Sequence, residues 1–212
     1  MQEKRDRVIL FTEIPESSSG DPRERYSFRH NTAQRLLRHA IPELKEPYTH
    51  SASGKPLVTE MPECNISVSH SLHHVAVAVS FARPAPGIDI EDRAERAEKV
   101  LQKFAHEQEY SFIEEGKISA GLLWSAKEAI YKYLNHKGLI EFKTAIRLRE
   151  VCHKEPLQLI FQAFPKKQNQ PVTIEVRATS IGNALLVWAD IPHAIPPKIE
   201  QIPFEVLSSI II

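Results

Sequence analysis

A short alternating segment followed by a longer periodic one, within residues 87–132, constrains the fold of this chain most strongly. Residues 87–91 read Gly-Ile-Asp-Ile-Glu, and this alternation of apolar and acidic side chains is typical of a short strand at the border of a core. Because successive strand side chains point to opposite faces, Asp89 and Glu91 are predicted to share one face. Residues 122–134 carry an apolar stripe at three- and four-residue spacing, which predicts a helix.

Charged side chains flank the apolar stripe of this predicted helix. Lys127 and Glu128 lie at its margin, and Lys132 lies one turn beyond Glu128. If Asp89, Glu91 and Glu128 converge, their carboxylates form an oxygen site for a hard cation, and the neighbouring lysines suggest a phosphate as a further ligand. Each feature alone has a simpler interpretation. Strand-end acids are usually solvated, and Glu128 with Lys132 matches an i,i+4 surface ion pair worth about 0.3–0.5 kcal/mol.

The overall composition excludes several classes of protein. The 212 residues are 42% hydrophobic and 25% charged, which is ordinary for a globular protein with a substantial core. The formal net charge of +0 gives no overall field that would attract nucleic acid or an anionic membrane. Cys64 and Cys152 are too far apart in sequence to indicate a zinc motif or a disulfide framework. Residues 1–7 lack the apolar run of a signal peptide and no stretch is long enough to span a membrane, so we expect a cytoplasmic protein.

Local patterns predict alternating helices and strands along the chain. The predicted strands are 8–12, 65–71, 75–81, 146–151, 157–164, 172–179 and 184–189, and the predicted first helix is 23–40. Turns are predicted at residues 53–56 and at Gly182-Asn183, and a left-handed helix cap at Gly138. The Pro-Ala-Pro segment at 84–86 marks the best boundary, between an N-terminal half of residues 1–84 and a C-terminal half of residues 85–212. Because the order strand, helix, hairpin recurs in both, the pattern indicates two similar α+β halves.

A serine beside a histidine, in Ser69-His70-Ser71, raises the alternative of a hydrolase nucleophile. Adjacent strand residues point to opposite faces, however, and the chain has neither a GxSxG elbow nor an evident third member of a triad. A structural turn after the strand is therefore the stronger interpretation of these residues alone.

The joint pattern resembles the signature of the 4′-phosphopantetheinyl transferases. The matching motifs are Gly-Ile-Asp-Ile-Glu at 87–91, Trp-Ser-x-Lys-Glu-Ala-x-x-Lys at 124–132, and the upstream segments Gly-Lys-Pro at 54–56 and Asn-Ile-Ser-x-Ser-His-Ser at 65–71. These enzymes transfer phosphopantetheine from coenzyme A to a serine of a carrier protein. The resemblance covers roughly residues 23–138. It implies the two-halved form, an α+β pseudo-twofold monomer with coenzyme A in the cleft between the halves.

The resemblance also implies roles for individual residues. Mg²⁺, or Mn²⁺ in its place, would be held by Asp89, Glu91 and Glu128. The coenzyme A phosphates would be held by Lys55, Ser69, His70, Lys127 and Lys132, with Arg29 reaching the 3′-phosphate. The Glu-Tyr pair at 109–110 makes Glu109 a candidate general base, although as a bare sequence feature it is only a helix-surface acid. Glu128 and a metal-bound water are the other candidates for the base, and the sequence does not choose among the three.

The implied reaction gives a holo carrier and 3′,5′-adenosine diphosphate, with an apo acyl or peptidyl carrier protein as partner and no role for nucleic acid or a membrane. Two departures from the form that activates surfactin synthetase leave the preferred carrier open. Lysines ahead of the first helix are replaced around residues 17–20, and residues 127–129 read Lys-Glu-Ala in place of Lys-Glu-Ser. Two rival interpretations are a non-catalytic homologue that binds coenzyme A or a carrier, and an unrelated protein whose ion pairs mimic the motif.

Overall fold

The computed structural model describes residues 7–15, 21–81, 84–134, 141–166 and 170–211. The chain divides into two compact units, one formed by Met1–Pro86 with Pro196–Ile212 and the other by Gly87–Ile195. Helices and mainly antiparallel sheets occur in both, so the α+β class predicted from the sequence is confirmed. Residues 17–20 and the predicted cap at Gly138 lie outside the described residues.

The first unit contains a four-stranded sheet in the order β11-β1-β5-β4. Its elements are β1 (Arg7–Glu13), α1 (Pro22–Ala40), the small hairpin β2 (Thr49–His50) and β3 (Pro56–Leu57), β4 (Asn65–His70), β5 (His74–Ser80), β11 (Lys198–Gln201) and α6 (Phe204–Ser208). Helix α1 begins where the Asp21 carboxylate accepts a 2.8 Å hydrogen bond from the Arg23 amide, and it ends before Pro42. Its buried Leu36 and Leu37 pack in the core of this unit.

The C-terminal residues belong to this first unit, which corrects the predicted half of residues 85–212. Strand β11 pairs in parallel with β1, with Val8 opposite Lys198. β5 covers one edge of β1, and β11 covers the other edge, which would otherwise expose unpaired backbone groups. Further along, Leu207 is fully buried and the Ile210 carbonyl accepts a hydrogen bond from Arg35. The terminal segment is therefore docked by backbone pairing as well as by apolar packing.

The second unit contains a five-stranded antiparallel sheet in the order β6-β10-β9-β8-β7. Its elements are β6 (Gly87–Glu91), α2 (Leu101–Phe104), α3 (Tyr110–Glu114), α4 (Ala120–Leu134), α5 (Phe142–Ala145), β7 (Ile146–Cys152), β8 (Leu157–Ala163), β9 (Val172–Ile181) and β10 (Ala184–Asp190), with 3₁₀ turns at Ala94–Val100 and Glu107–Glu109. Helix α4 packs on one face of the sheet and supplies much of the core. No helix within the described ranges combines the length and the apolar character that a membrane span requires.

Candidate active site

Strand β6 lies unusually close to helix α4 because Gly87 carries no side chain. A Cβ atom at Gly87 would lie 2.0 Å from the Ala129 carbonyl oxygen and 2.8 Å from the Tyr133 Cβ. This face of β6 therefore points at α4, and residues two and four positions further along point the same way. The predicted common face of Asp89 and Glu91 is thus the face turned towards the helix.

Asp89, Glu128 and Lys132 form one electrostatic cluster across this contact. The Lys132 ammonium donates to Asp89 Oδ1 at 3.0 Å, which links α4 to β6. Burial raises the pKa of the Glu128 carboxyl; the nearby Lys132 charge opposes that shift and the Asp89 carboxylate adds to it. Lys132 therefore does more than form a surface ion pair with Glu128. Its positive charge neutralises part of the negative charge of two carboxylates.

The third predicted metal ligand, Glu91, has a local backbone partner. Its Oε1 accepts a 2.8 Å hydrogen bond from the Arg93 amide and so caps the turn that follows β6. In the part of the chain that the structure describes, no three His, Cys, Asp or Glu side chains are arranged to hold a metal ion. The three-carboxylate site of Asp89, Glu91 and Glu128 accordingly stays a prediction.

Asp89 and Glu128 nevertheless fit a magnesium ion by their chemistry. Both residues supply hard oxygen donors. Burial is the main reason that the pKa of Glu128 is raised, and the neighbouring Asp89 charge raises it further. A divalent cation would favour the ionised form of both acids. Mg²⁺ is usually held by only one or two carboxylates together with substrate phosphates, so two acids beside a lysine are a sufficient protein contribution.

Lys127 and Glu109 form a separate ion pair with fully buried side chains. The Lys127 ammonium lies 2.6 Å from Glu109 Oε2, and both side chains have 0% relative exposure. Lys127 also donates to the carbonyls of Phe104 at 2.9 Å and Phe142 at 3.1 Å, which uses all three of its donors. Burial lowers the pKa of Lys127, and the Glu109 charge and hydrogen bond act in the opposite direction.

This geometry bears on the roles that the resemblance implied for both residues, which stay predictions. The Glu109 carboxylate also accepts hydrogen bonds from the amides of His106 at 2.7 Å and Leu148 at 2.8 Å. A general base must reach the proton that it removes, and a phosphate-binding ammonium needs a free donor. In the structure all three donors of Lys127 are in use, and the Glu109 carboxylate is fully buried and accepts three hydrogen bonds. In the structure Lys127 and Glu109 fix the positions of loops around α4.

The sequence contained a signal for this burial. Lys127 follows Leu123 by four residues and precedes Ile130 by three, and both neighbours are completely buried. That spacing places the lysine on the apolar stripe of α4 instead of at its margin. Glu128 and Lys132 fall on the next face, towards β6.

The predicted coenzyme contacts lie on three elements of the first unit: Arg29 is on α1, Lys55 in the β2–β3 turn, and Ser69 and His70 at the end of β4. The turn forms as expected, with Gly54 at φ 80° and the Lys55 amide donating to Ser51 Oγ at 3.1 Å. Ser69 is buried whereas His70 is exposed, as strand alternation requires. This opposite orientation also argues against a serine–histidine nucleophile.

An aromatic and imidazole cluster near these residues was not predicted. Tyr48 Oη and His30 Nδ1 are 2.9 Å apart, and the two rings lie 4.6 Å apart with His50 close by. Burial lowers the pKa of His30, and His50 lowers it further. The cluster joins α1 to the β2–β3 hairpin, so its members come from distant sequence positions. Only the i,i+4 spacing of Tyr26 and His30, whose rings stack, could have indicated it.

Comparison with known families bears on the second unit. Residues 85–177 match the family model described as the 4'-phosphopantetheinyl transferase superfamily. The matched range contains β6, α4 and the cluster of Asp89, Glu128 and Lys132. No curated protein matches the chain.

Proposed function

We propose that the chain transfers 4′-phosphopantetheine from coenzyme A to a serine of an apo acyl or peptidyl carrier protein, since residues 85–177 match the family model of the 4'-phosphopantetheinyl transferase superfamily. The products are the holo carrier and 3′,5′-adenosine diphosphate. The enzyme acts as a monomer and requires Mg²⁺.

One observation carries this proposal. Asp89 on strand β6 and Glu128 on helix α4 lie close enough to interact, and the positive charge of Lys132 acts on both carboxylates. Two carboxylates and one ammonium can accommodate a hydrated divalent cation and the pyrophosphate of coenzyme A. Burial disfavours the ionised form of Glu128, so a carboxylate at this position costs stability. A cluster that served stability alone would therefore not need Glu128.

Asp89 and Glu128 are the residues that would hold Mg²⁺, with Glu91 as the third candidate ligand. When bound, the ion would neutralise charge on the pyrophosphate and on the leaving 3′,5′-adenosine diphosphate. Lys132 adds a charge-assisted contact to the same phosphate oxygens. Before substrate arrives, the Lys132 ammonium rests on Asp89.

In the transfer itself the carrier serine oxygen forms a bond to the β-phosphorus of coenzyme A. The bond from that phosphorus to the bridging oxygen of the pyrophosphate breaks, and the electron pair leaves with 3′,5′-adenosine diphosphate. The serine proton must pass to a base. Of the two acids considered for this role, Glu128 is preferred over Glu109, because Glu128 is only partly buried whereas the Glu109 side chain is fully buried.

The coenzyme contacts of the first unit are part of the same proposal. Arg29, Lys55, Ser69 and His70 supply cationic and hydrogen-bonding groups suited to phosphate. The transferred group does not include the 3′-phosphate, so contacts to that phosphate act chiefly on binding. Contacts to the pyrophosphate, in contrast, would affect the rate as well.

The proposal is tested by incubating the purified protein with coenzyme A, Mg²⁺ and an apo carrier, then measuring the intact mass of the carrier. The expected result is the mass gain of one phosphopantetheine group, absent when the acceptor serine of the carrier is replaced by alanine and absent with chelator. If several carriers gain no mass although coenzyme A binds, the protein is a non-catalytic binding homologue and the proposed function is wrong.

A further inference from the structure

The β2–β3 hairpin of the first unit depends on its neighbours for its position. Its two strands have two residues each and form a separate two-stranded sheet. Thr49, His50 and Leu57 are exposed, so the strands themselves bury little apolar surface. A hairpin this short has at best marginal stability of its own in water. The contacts at its two ends, made by the buried Tyr48 and Val58, therefore decide where it lies.

Tyr48 attaches the hairpin to helix α1. Its backbone amide donates to Gln34 Oε1 at 3.0 Å, and its hydroxyl lies 2.9 Å from His30 Nδ1. Gln34 and His30 are four positions apart and so lie on one face of α1. One tyrosine thus meets two successive turns of the helix, once through its backbone and once through its side chain.

Two imidazole rings border Tyr48. The His30 ring lies 4.6 Å from the Tyr48 ring and the His50 ring lies 5.5 Å from it, while the two imidazoles are 6.4 Å apart. On the α1 side, the Tyr26 ring stacks on His30 at 6.1 Å. We call these four residues the imidazole joint. Within the described ranges, the titratable groups that face the two imidazoles all belong to the joint, and none of them is an acid.

Protonation acts against the docked hairpin. Burial lowers the pKa of His30 and the neighbouring His50 lowers it further, so docking favours the neutral ring. When the hairpin leaves α1, His30 regains its ordinary pKa of 6.5. Docking is thus fully stabilised above pH 6.5 and loses stability as the pH falls from there through the lowered pKa. Two unit charges about 6 Å apart in water shift an equilibrium by about threefold, and by more when they are partly buried.

We propose that the imidazole joint is an acid-sensitive latch, which holds the β2–β3 hairpin on α1 while both histidines are neutral and releases it when they are protonated. Histidine is the side chain whose charge ordinarily changes near neutral pH. The latch itself is independent of the proposed function. One consequence rests on that function. Lys55 lies in the turn of the hairpin and Arg29 precedes His30 on α1, so release would displace Lys55 relative to Arg29 and weaken coenzyme A binding.

Amide hydrogen exchange of the whole protein, measured between about pH 5.5 and 7.5, tests the latch. Protection factors are compared, because they remove the intrinsic pH dependence of exchange. In the parent, the Tyr48 amide should lose protection about threefold or more at the acidic end. The amides of β5, which lies in the same unit and makes no contact with the imidazole joint through its rings, should keep their protection.

The variants His30→Asn and His50→Gln remove the titrating groups one at a time, and His50 is exposed, so its replacement leaves the core intact. Each variant should show a smaller pH dependence of protection at Tyr48 than the parent. The matched control is His39→Asn, which removes an exposed histidine from the same helix and should behave like the parent. The latch is refuted if protection in the parent does not change with pH, or if His50→Gln keeps the full change. Should His30→Asn lose protection at every pH, His50→Gln decides alone.

Calorimetry with coenzyme A tests the consequence for binding. A phosphate monoester itself titrates near pH 6, so the parent is compared with His50→Gln at each pH. On acidification the parent should lose about threefold more affinity than the variant. Equal losses would overturn the link between the latch and the coenzyme. A hairpin released by acid, in a protein that modifies no carrier, would support the latch and refute the proposed function.

Discussion

Replacing Lys127 with methionine tests whether the buried ion pair is structural. Methionine keeps the unbranched shape and the helix propensity of lysine but removes its charge. The Glu109 carboxylate would then remain at 0% side-chain exposure with only the His106 and Leu148 amides as donors. The carbonyls of Phe104 and Phe142 would also lose the hydrogen bonds that Lys127 donates.

The expected cost follows from the burial of the pair. Removing one partner of a buried ion pair destabilises a protein by about 3–5 kcal/mol, because the remaining charge stays desolvated and uncompensated. The double variant Lys127→Met/Glu109→Gln no longer carries the buried Glu109 charge. Its loss of unfolding free energy should therefore be smaller than the sum of the two single losses by about 0.5–3 kcal/mol. The control Lys117→Met breaks an ion pair whose side chains are 46% and 54% exposed. It should cost about 1 kcal/mol or less.

Urea unfolding followed by tryptophan fluorescence measures these free energies in the relevant unit. The chain has 2 tryptophans, Trp124 and Trp188, and both lie within Gly87–Ile195. The transfer rate of each variant is measured below its unfolding transition. The structural role is refuted if Lys127→Met unfolds with the parent's free energy while transfer is lost. That outcome would return Lys127 to direct contact with substrate.

Three further predictions concern the cluster, the coenzyme contacts and the β6–α4 contact. Glu128→Gln should raise the melting temperature without divalent cations. The melting temperature of Glu128→Gln should exceed that of the parent by more as pH rises above 4.5. The reason is that the folded-state pKa of Glu128 is raised, so the parent loses stability as this carboxyl ionises; a pH-independent difference would contradict this. Lys55→Ala should weaken coenzyme A binding in calorimetry roughly ten- to a hundredfold and lose discrimination against dephospho-coenzyme A, whereas retained discrimination would make Lys55 an ordinary turn residue. Gly87→Ala should destabilise the unit by about 3 kcal/mol or more in urea, since its Cβ would lie 2.0 Å from the Ala129 carbonyl; parent-like stability would rule out so close a contact.

Periodicity predicted the elements that build the site because each buries one face. The strand at 87–91 and the helix that ends at Leu134 were found with the correct types, and the acids of the strand face the helix as alternation requires. Strand β11 was not predicted. It has only four residues, Lys-Ile-Glu-Gln, without strong apolar alternation, and its pairing with β1 joins opposite ends of the chain. Such non-local parallel pairing leaves no local pattern to read.

The distinction between Lys127 and Lys132 could be drawn only partly from the sequence. Both belong to one motif, yet Lys132 is partly exposed beside Asp89 and Lys127 is enclosed with Glu109. The position of Lys127 on the apolar stripe indicated burial, but its three partners come from segments that only the tertiary structure brings together.

The transfer rate of Glu128→Gln beside that of the parent tests the central claim most directly. Both proteins are incubated with coenzyme A, Mg²⁺ and the same apo carrier, and the intact mass of the carrier is followed over time. The parent should convert the carrier to its holo form, and the variant should be at least about a hundredfold slower, which corresponds to ~2.7 kcal/mol. Equal rates would remove Glu128 from the reaction, and a parent that never modifies a carrier would contradict the proposed transferase activity itself.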